Sequence, residues 1–248
     1  MVLLRVVLPA ACFALALSAG IPSLGTGTNV YHPGRPESTI EAAISDDKLV
    51  YADFEKVVDN RPVSSRGGYI KLYTNEQNPS KLCRVTGAAG SSDVPELVRL
   101  SKDSPNRALA FDYQLRGPNQ YAEVGVEVHG LPDKDGKPVP DDVTGYKHLS
   151  LQLYVTGVRG ITVEFHSHGL GVTYQNGVGP QMTFVVGAGM STYHVQLNKV
   201  QQPGWVENKI DAKEVLAKLT QINVRVGCAP CDQLINGTVV VDNLVLEK

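Results

Sequence analysis

The residues of this chain best suited to chemistry stand at even spacings within short segments. Glu123 and Glu127 lie in one segment, Gln152 and Tyr154 in a second, Glu164, His166 and His168 in a third, and Asn223 and Arg225 in a late one. Even spacing matters because side chains alternate across a strand, so residues two apart share a face. If these strands adjoin in one curved sheet, carboxylates, amides, a phenol, imidazoles and a guanidinium converge on its outer side. Saccharides need such a mixture: their hydroxyls donate and accept hydrogen bonds, charged partners strengthen those bonds, and their C–H faces pack on rings. Trp205, the only tryptophan, follows Gln202-Pro203-Gly204 in a loop, where it can stack on a sugar or plug the end of a sandwich. Plain solvation also produces a polar outer face on an antiparallel sheet, but lysine is absent from these positions.

Paired acids raise the question of catalysis. A glycosidase places two carboxyl groups about the scissile bond, and Glu123, Glu127 and Glu164 are the available acids. A polysaccharide lyase would use Arg225 and Gln152 to neutralise a uronic carboxylate while Tyr154 or His166 moves the proton. No motif fixes either arrangement, so non-catalytic binding is the expectation, with a lyase, a hydrolase or a structural, protein-binding sandwich as alternatives. His166 and His168 share a face compatible with metal binding, yet spacing supplies no third ligand.

The elements that must position these groups read as strands. Apolar residues alternate at Leu109, Phe111, Tyr113 and Leu115, at Ala122, Val124, Val126 and Val128, and at Leu149, Leu151, Leu153 and Val155. Ile161, Val163 and Phe165 follow, then Ile222, Val224 and Val226, and finally Val239, Val241 and Val245. Each set can cover one side of a shared core, with turn residues between sets, which predicts an all-β antiparallel sandwich over residues 48–248. One short helix is expected, capped by Asp211 and running from Ala212 to Leu219 with Val215, Leu216 and Leu219 on one face. Pro132 to Pro140 reads as a hairpin or longer loop within this domain.

Residues 1–20 read as a secretory signal peptide, with Arg5 before an apolar run from Val6 to Leu17 and small residues after it. The run contains Pro9 and falls short of the roughly 20 residues needed to span a bilayer, so a secreted or periplasmic protein without membrane insertion is expected. Residues 21–47 read as a linker or loose lead-in, with a capping box at Ser38 and Glu41. A formal net charge of −2 with no long basic run argues against nucleic acid as a partner. Beyond the signal segment stand Cys83, Cys228 and Cys231. A local Cys228–Cys231 clip is expected, with Cys83 as a competing partner.

Several segments together carry a resemblance. Tyr51-Ala-Asp-Phe-Glu55, the turn Ser64-Ser-Arg-Gly-Gly68, the segment Gly145 to Leu153, Thr192-Tyr-His-Val-Gln-Leu197, Gln202-Pro-Gly-Trp205 and Gly237 to Leu246 resemble the jelly-roll carbohydrate-binding modules and the related galactose-binding-domain-like sandwiches. The resemblance implies a two-sheet jelly roll and a poly- or oligosaccharide partner. It also implies a structural calcium ion bridging a first-strand acid, the glycine turn and a last-strand Asp. Carried over, this nominates Asp53, Glu55 and Asp242, with carbonyls from Ser65 to Gly68. Asp242-Asn243 stands where paired acids are frequent in such modules. The sandwich also resembles the domain type of a mitochondrial complex I assembly factor, which would imply protein contact instead.

Overall fold

The computed structural model describes residues 47–75, 82–130, 138–170, 178–228 and 231–248. The signal segment, most of the lead-in and most of the Pro132 to Pro140 loop lie outside the described residues. The strands are β1 (Lys48–Ala52), β2 (Val57–Val58), β3 (Arg61–Pro62), β4 (Ile70–Thr74), β5 (Leu82–Thr86), β6 (Glu96–Arg99), β7 (Arg107–Arg116) and β8 (Gln120–Glu127). They continue with β9 (His148–Val155), β10 (Gly160–His166), β11 (Gln181–Val185), β12 (Ser191–Gln196), β13 (Gln221–Cys228) and β14 (Ile235–Glu247). One sheet has the order β12-β9-β14-β7-β5, with β1 added on β14 and β6 on β7; the other runs β11-β10-β13-β8-β4. Pairing between these strands is antiparallel. The expected antiparallel two-sheet jelly-roll sandwich is therefore the observed fold class.

Alternation builds the core as expected. Leu109, Phe111, Tyr113 and Leu115 from one sheet are buried with Ala122, Val124, Val126, Ile161, Val163, Phe165, Ile222, Val224 and Val226 from the other. Removing so many apolar side chains from water is the main force holding the sheets together. The last strand departs from simple parity. Its pairing with β9 shifts between Asp242 and Val245, and Asn243 takes a left-handed φ of 51°. This bulge turns Leu244 and Leu246 inward in place of Val245, which lies outside the main core cluster. The expected inward set of β14 is corrected accordingly.

The single α-helix among the described residues, α1 (Ala212–Leu216), is three residues shorter than expected. Asp211 caps it by accepting from the Lys213 N–H at 2.9 Å. Leu219 leaves the helix to bridge Asp141, yet it is buried with Val215 and Leu216 as the spacing predicts. Cys228 and Cys231 form the local disulfide. Cys83 is buried on β5 and its thiol donates to the Tyr121 carbonyl at 2.6 Å.

Candidate functional site: the outer face of the five-stranded sheet

Register places the polar side chains of β4, β8, β13, β10 and β11 in rows across the outward face. Gln181 lies beside Glu164, Glu164 beside Asn223, and Asn223 beside Gly125. In the next row Thr162 neighbours Arg225, Arg225 neighbours Glu123, and Glu123 neighbours Tyr73. In a third row His166 neighbours Gln221, which neighbours Glu127. This gathering follows from the sequence because these residues alternate with the buried valines and isoleucines of the same strands.

The middle of the face is polar but not solvated. Glu164 is 1% exposed, Asn223 3%, His166 6%, Gln221 7% and Glu123 8%. Burying such groups is costly unless they are paired, and here they are joined to one another. Glu164 Oε2 lies 2.9 Å from Arg225 Nη2, and its Oε1 lies 3.0 Å from His166 Nε2 and accepts the Gly179 N–H. Arg225 also donates to Gln181 Oε1 at 2.6 Å and packs over the Tyr121 ring at 5.3 Å. Gln221 Nε2 donates to Asn223 Oδ1 at 2.6 Å, and Asn223 Nδ2 donates to Glu123 Oε1 at 3.0 Å.

Glu123 lacks a cation of its own at salt-bridge distance among the described residues. Burial, helped by the charge of Glu164, pushes its carboxyl up to about 7, against the opposing pull of Arg225. The half-buried Tyr73 and Tyr121 stand beside this cluster, and burial raises both phenols, Tyr73 to about 12. Gly125 makes room at the centre: a Cβ there would meet Gln221 Nε2 at 2.4 Å and the Tyr73 ring at 2.8 Å.

Trp205 belongs to a loop tied to the edge strand β11 of the same sheet. Gln201 and Gln181 exchange backbone hydrogen bonds of 3.0 and 3.3 Å. Gln202, buried, donates to the Val178 carbonyl and accepts the Ile210 N–H, closing the loop that carries Trp205. Gly179, next to Val178, donates to Glu164. Trp205 itself is 60% exposed.

Five of the eight nominated ligand-binding residues share this face, namely Glu123, Glu127, Glu164, His166 and Arg225, while Trp205 lies on a loop hydrogen-bonded to the edge strand β11. Gln152 and Tyr154 do not share it. They lie on β9 in the other sheet, where Gln152 pairs with Thr192 and Asp242, and Tyr154 packs with Val98, Ala108, Ala110 and Val240. Their expected convergence with Glu164 and Arg225 is corrected, because parity assigns a side of a strand but does not say which sheet the strand joins. Glu127 sits at the margin, its Oε1 3.7 Å from Lys71 Nζ. His168 lies beyond the end of β10 and is exposed, its Nδ1 2.7 Å from Thr220 Oγ1.

Sequence reasoning missed Tyr73, Tyr121, Gln181 and Gln221. Tyr121 carried a usable signal, since it has the same parity as Glu123 and Glu127 on one strand.

Of the acids nominated for calcium, Asp53 and Glu55 follow β1, and Asp242 stands at the bulge of the interior strand β14. Glu55 is engaged by Arg107, with Oε2 3.2 Å from Nε and Oε1 accepting the Arg107 N–H. Asp242 is fully buried and accepts from Asn106 Nδ2 at 3.1 Å and from the Asn243 N–H at 2.8 Å. Burial, with the charges of Glu55 and Asp53, pushes its carboxyl up to about 7. Among the described residues no group of three or more His, Cys, Asp or Glu could hold a metal ion. No described helix is long and apolar enough to cross a membrane.

No protein-family model matches the chain, and no curated protein matches it by sequence. Among solved structures it is similar to a family 11 carbohydrate-binding module from Clostridium thermocellum in complex with a β-1,3-1,4-mixed-linked tetrasaccharide, with TM-score 0.48, 14% identity, and 81% of this chain and 95% of that one covered. It is similar also to the family 30 carbohydrate-binding module of a cellulosomal cellulase of Clostridium thermocellum, with TM-score 0.43, 9% identity, and coverage of 71% and 97%. An exo-β-agarase matches at TM-score 0.41 and 12% identity over 82% of this chain and 25% of the agarase. The likeness is one of fold.

Proposed function

We propose that this chain is an exported, non-catalytic carbohydrate-binding protein, secreted or periplasmic, that takes a poly- or oligosaccharide on the outer face of the five-stranded sheet. One observation carries the reading: the outward face of a surface sheet holds buried Glu164, Asn223 and Glu123, with Glu164 ion-paired to the partly buried Arg225 and Asn223 hydrogen-bonded to Glu123, flanked by half-buried Tyr73 and Tyr121. A face selected only for solubility would carry freely hydrated side chains. Locked polar groups are what orient hydroxyls, because their rotamers are already fixed before the ligand arrives. The tyrosines, with the exposed Trp205, supply rings for C–H faces.

The test is affinity electrophoresis of the protein through gels containing different glycans. Retardation on at least one glycan, lost in Tyr121→Ala or Tyr73→Ala, supports the reading. Unchanged mobility on every glycan removes it.

A second reading has one observation in its favour. A carboxyl group held near 7, as at Glu123, is suited to general-acid work beside a second acid such as Glu164. Release of reducing or unsaturated ends from a glycan would establish that reading in place of binding alone.

Calcium enters as a separate proposal. Asp53, Glu55 and Asp242 do not form a three-carboxylate site as they stand, so the ion would bind with Arg107 displaced from Glu55 and with carbonyls from Ser65 to Gly68 completing its shell. By linkage, melting with added calcium should then exceed melting with chelator; superimposable transitions would remove calcium from the account.

A further inference from the structure

We infer that the ligand of this face is an uncharged saccharide, and that Glu164 sets this selectivity by occupying Arg225. The inference rests on the sugar-binding reading and narrows it to a class. The charged groups facing outward from the five strands are Glu123, Glu127 and Glu164 against Lys71 and Arg225, with His166 beside Glu164. Neither of the two permanent cations is unmatched. Arg225 faces Glu164 at 2.9 Å and donates to Gln181 at 2.6 Å, with Tyr121 beneath its guanidinium. Lys71 stands 3.7 Å from Glu127 and 5.4 Å from the centre of the Tyr69 ring.

A uronic carboxylate or a sulfate on this face would have to take a cation from a carboxylate that already holds it. It would also lie close to the remaining acids. Like charges brought together in a poorly solvated site reject a partner more strongly than any single hydrogen bond attracts it. A neutral sugar meets no such barrier, because its hydroxyls donate to carboxylates and amide oxygens while its oxygens accept from guanidinium and amide N–H groups. Glu164 is the deciding residue because it is 1% exposed and fixed from three sides by Arg225, His166 and Gly179. It cannot swing aside to free Arg225 as a surface carboxylate would. The same lock bears on the lyase alternative, in which Arg225 would have to neutralise a uronic acid.

The experiment uses the full chain and polymers paired to differ in charge: hydroxyethylcellulose with carboxymethylcellulose, agarose with carrageenan, and carboxyl-reduced with native alginate. Affinity electrophoresis gives a dissociation constant for each. The expected result is retention by the neutral member of at least one pair, with binding of its charged partner weaker by about tenfold or more. Retention on the neutral polymer should change little between low and high sodium chloride. Glu164→Gln, confirmed folded by near-ultraviolet circular dichroism, should narrow the gap by about tenfold by releasing Arg225.

Wild-type preference for the charged members would overturn this inference while leaving sugar binding intact. Retention by no polymer in these pairs or in a wider glycan panel would overturn both. A folded Glu164→Gln with an unchanged charge preference would overturn the assigned role of Glu164. The wild-type comparison decides the ligand class even if that variant does not fold.

Discussion

The two sheets turn unlike outer faces away from their common core. On the five-stranded sheet the centre is a linked set of acids, amides and an arginine, withdrawn from water and bordered by tyrosines. On the seven-stranded sheet, Val240, Val98, Ala108 and Ala110 make a small apolar cluster on which Tyr154 lies. Both faces hold tyrosines and glutamines at outward positions, so residue type alone does not separate them. What separates them is what the tyrosine touches. Tyr121 lies under a guanidinium that is itself held by Glu164, whereas Tyr154 rests on aliphatic side chains that need cover. An aromatic ring that holds a guanidinium belongs to the polar set a ligand would meet, while one that seals an apolar patch does not.

This contrast can be broken most forcefully at Arg225. Replacing it with Met leaves the Glu164 carboxylate buried without its cation, a change that costs about 3–5 kcal/mol. Urea unfolding should show that loss. Val240→Ala on the opposite face should cost only about 1–2 kcal/mol, the scale of a small core truncation. Equal losses would mean that the polar set is no more demanding than the apolar patch.

A smaller effect comes from pH, and it touches both sheets. Glu123 and Asp242 each have a carboxyl group pushed up to about 7. Between the ordinary carboxylate range and about 7, the folded protein holds protons on them that the unfolded chain has released. Their contribution to stability is therefore fully present at acid pH and lost as pH rises toward 7 and beyond. Lowering pH from 7.5 to 5.5 should stabilise the fold through each group by up to about 2 kcal/mol. Glu123→Gln should remove one share of this slope and Asp242→Asn the other. A slope unchanged in both variants would contradict the burial argument.

Gly125→Ala sharpens the comparison further. The added methyl must push aside Gln221 and Tyr73, at about 1–3 kcal/mol and with weaker glycan retention. The smallest effect is expected at Lys48, whose exposed pair with Glu247 should contribute no more than about 1 kcal/mol by urea unfolding of Lys48→Ala.

Much of this architecture was legible in the sequence. Period-two alternation identified the inward sets of β7, β8, β9, β10 and β13, and by subtraction the outward Glu123, Glu164, His166 and Arg225. Alternation is a local property, and the distribution of strands between sheets is not. Nothing in the residues around β9 reveals that it lies between β12 and β14, so parity alone places Gln152 and Tyr154 on a face they do not share. Val245 departs from its expected inward position for a related reason: one bulge at Asp242 and Asn243 inverts the parity of everything after it. Tyr73 and Gln181 are not legible because their strands are only five residues long, too short for alternation to stand out. The buried state of Glu123 and Glu164 was also not legible, since it depends on neighbours from three other strands and on the segment at Gly179.

The most direct measurement compares two tyrosines on the two faces. In affinity electrophoresis against a glycan that retards the wild-type protein, Tyr121→Ala should abolish the retardation and Tyr154→Ala should leave it intact. Loss of retardation in Tyr154→Ala alone, with Tyr121→Ala folded and still retarded, would place the ligand on the other sheet and contradict the account.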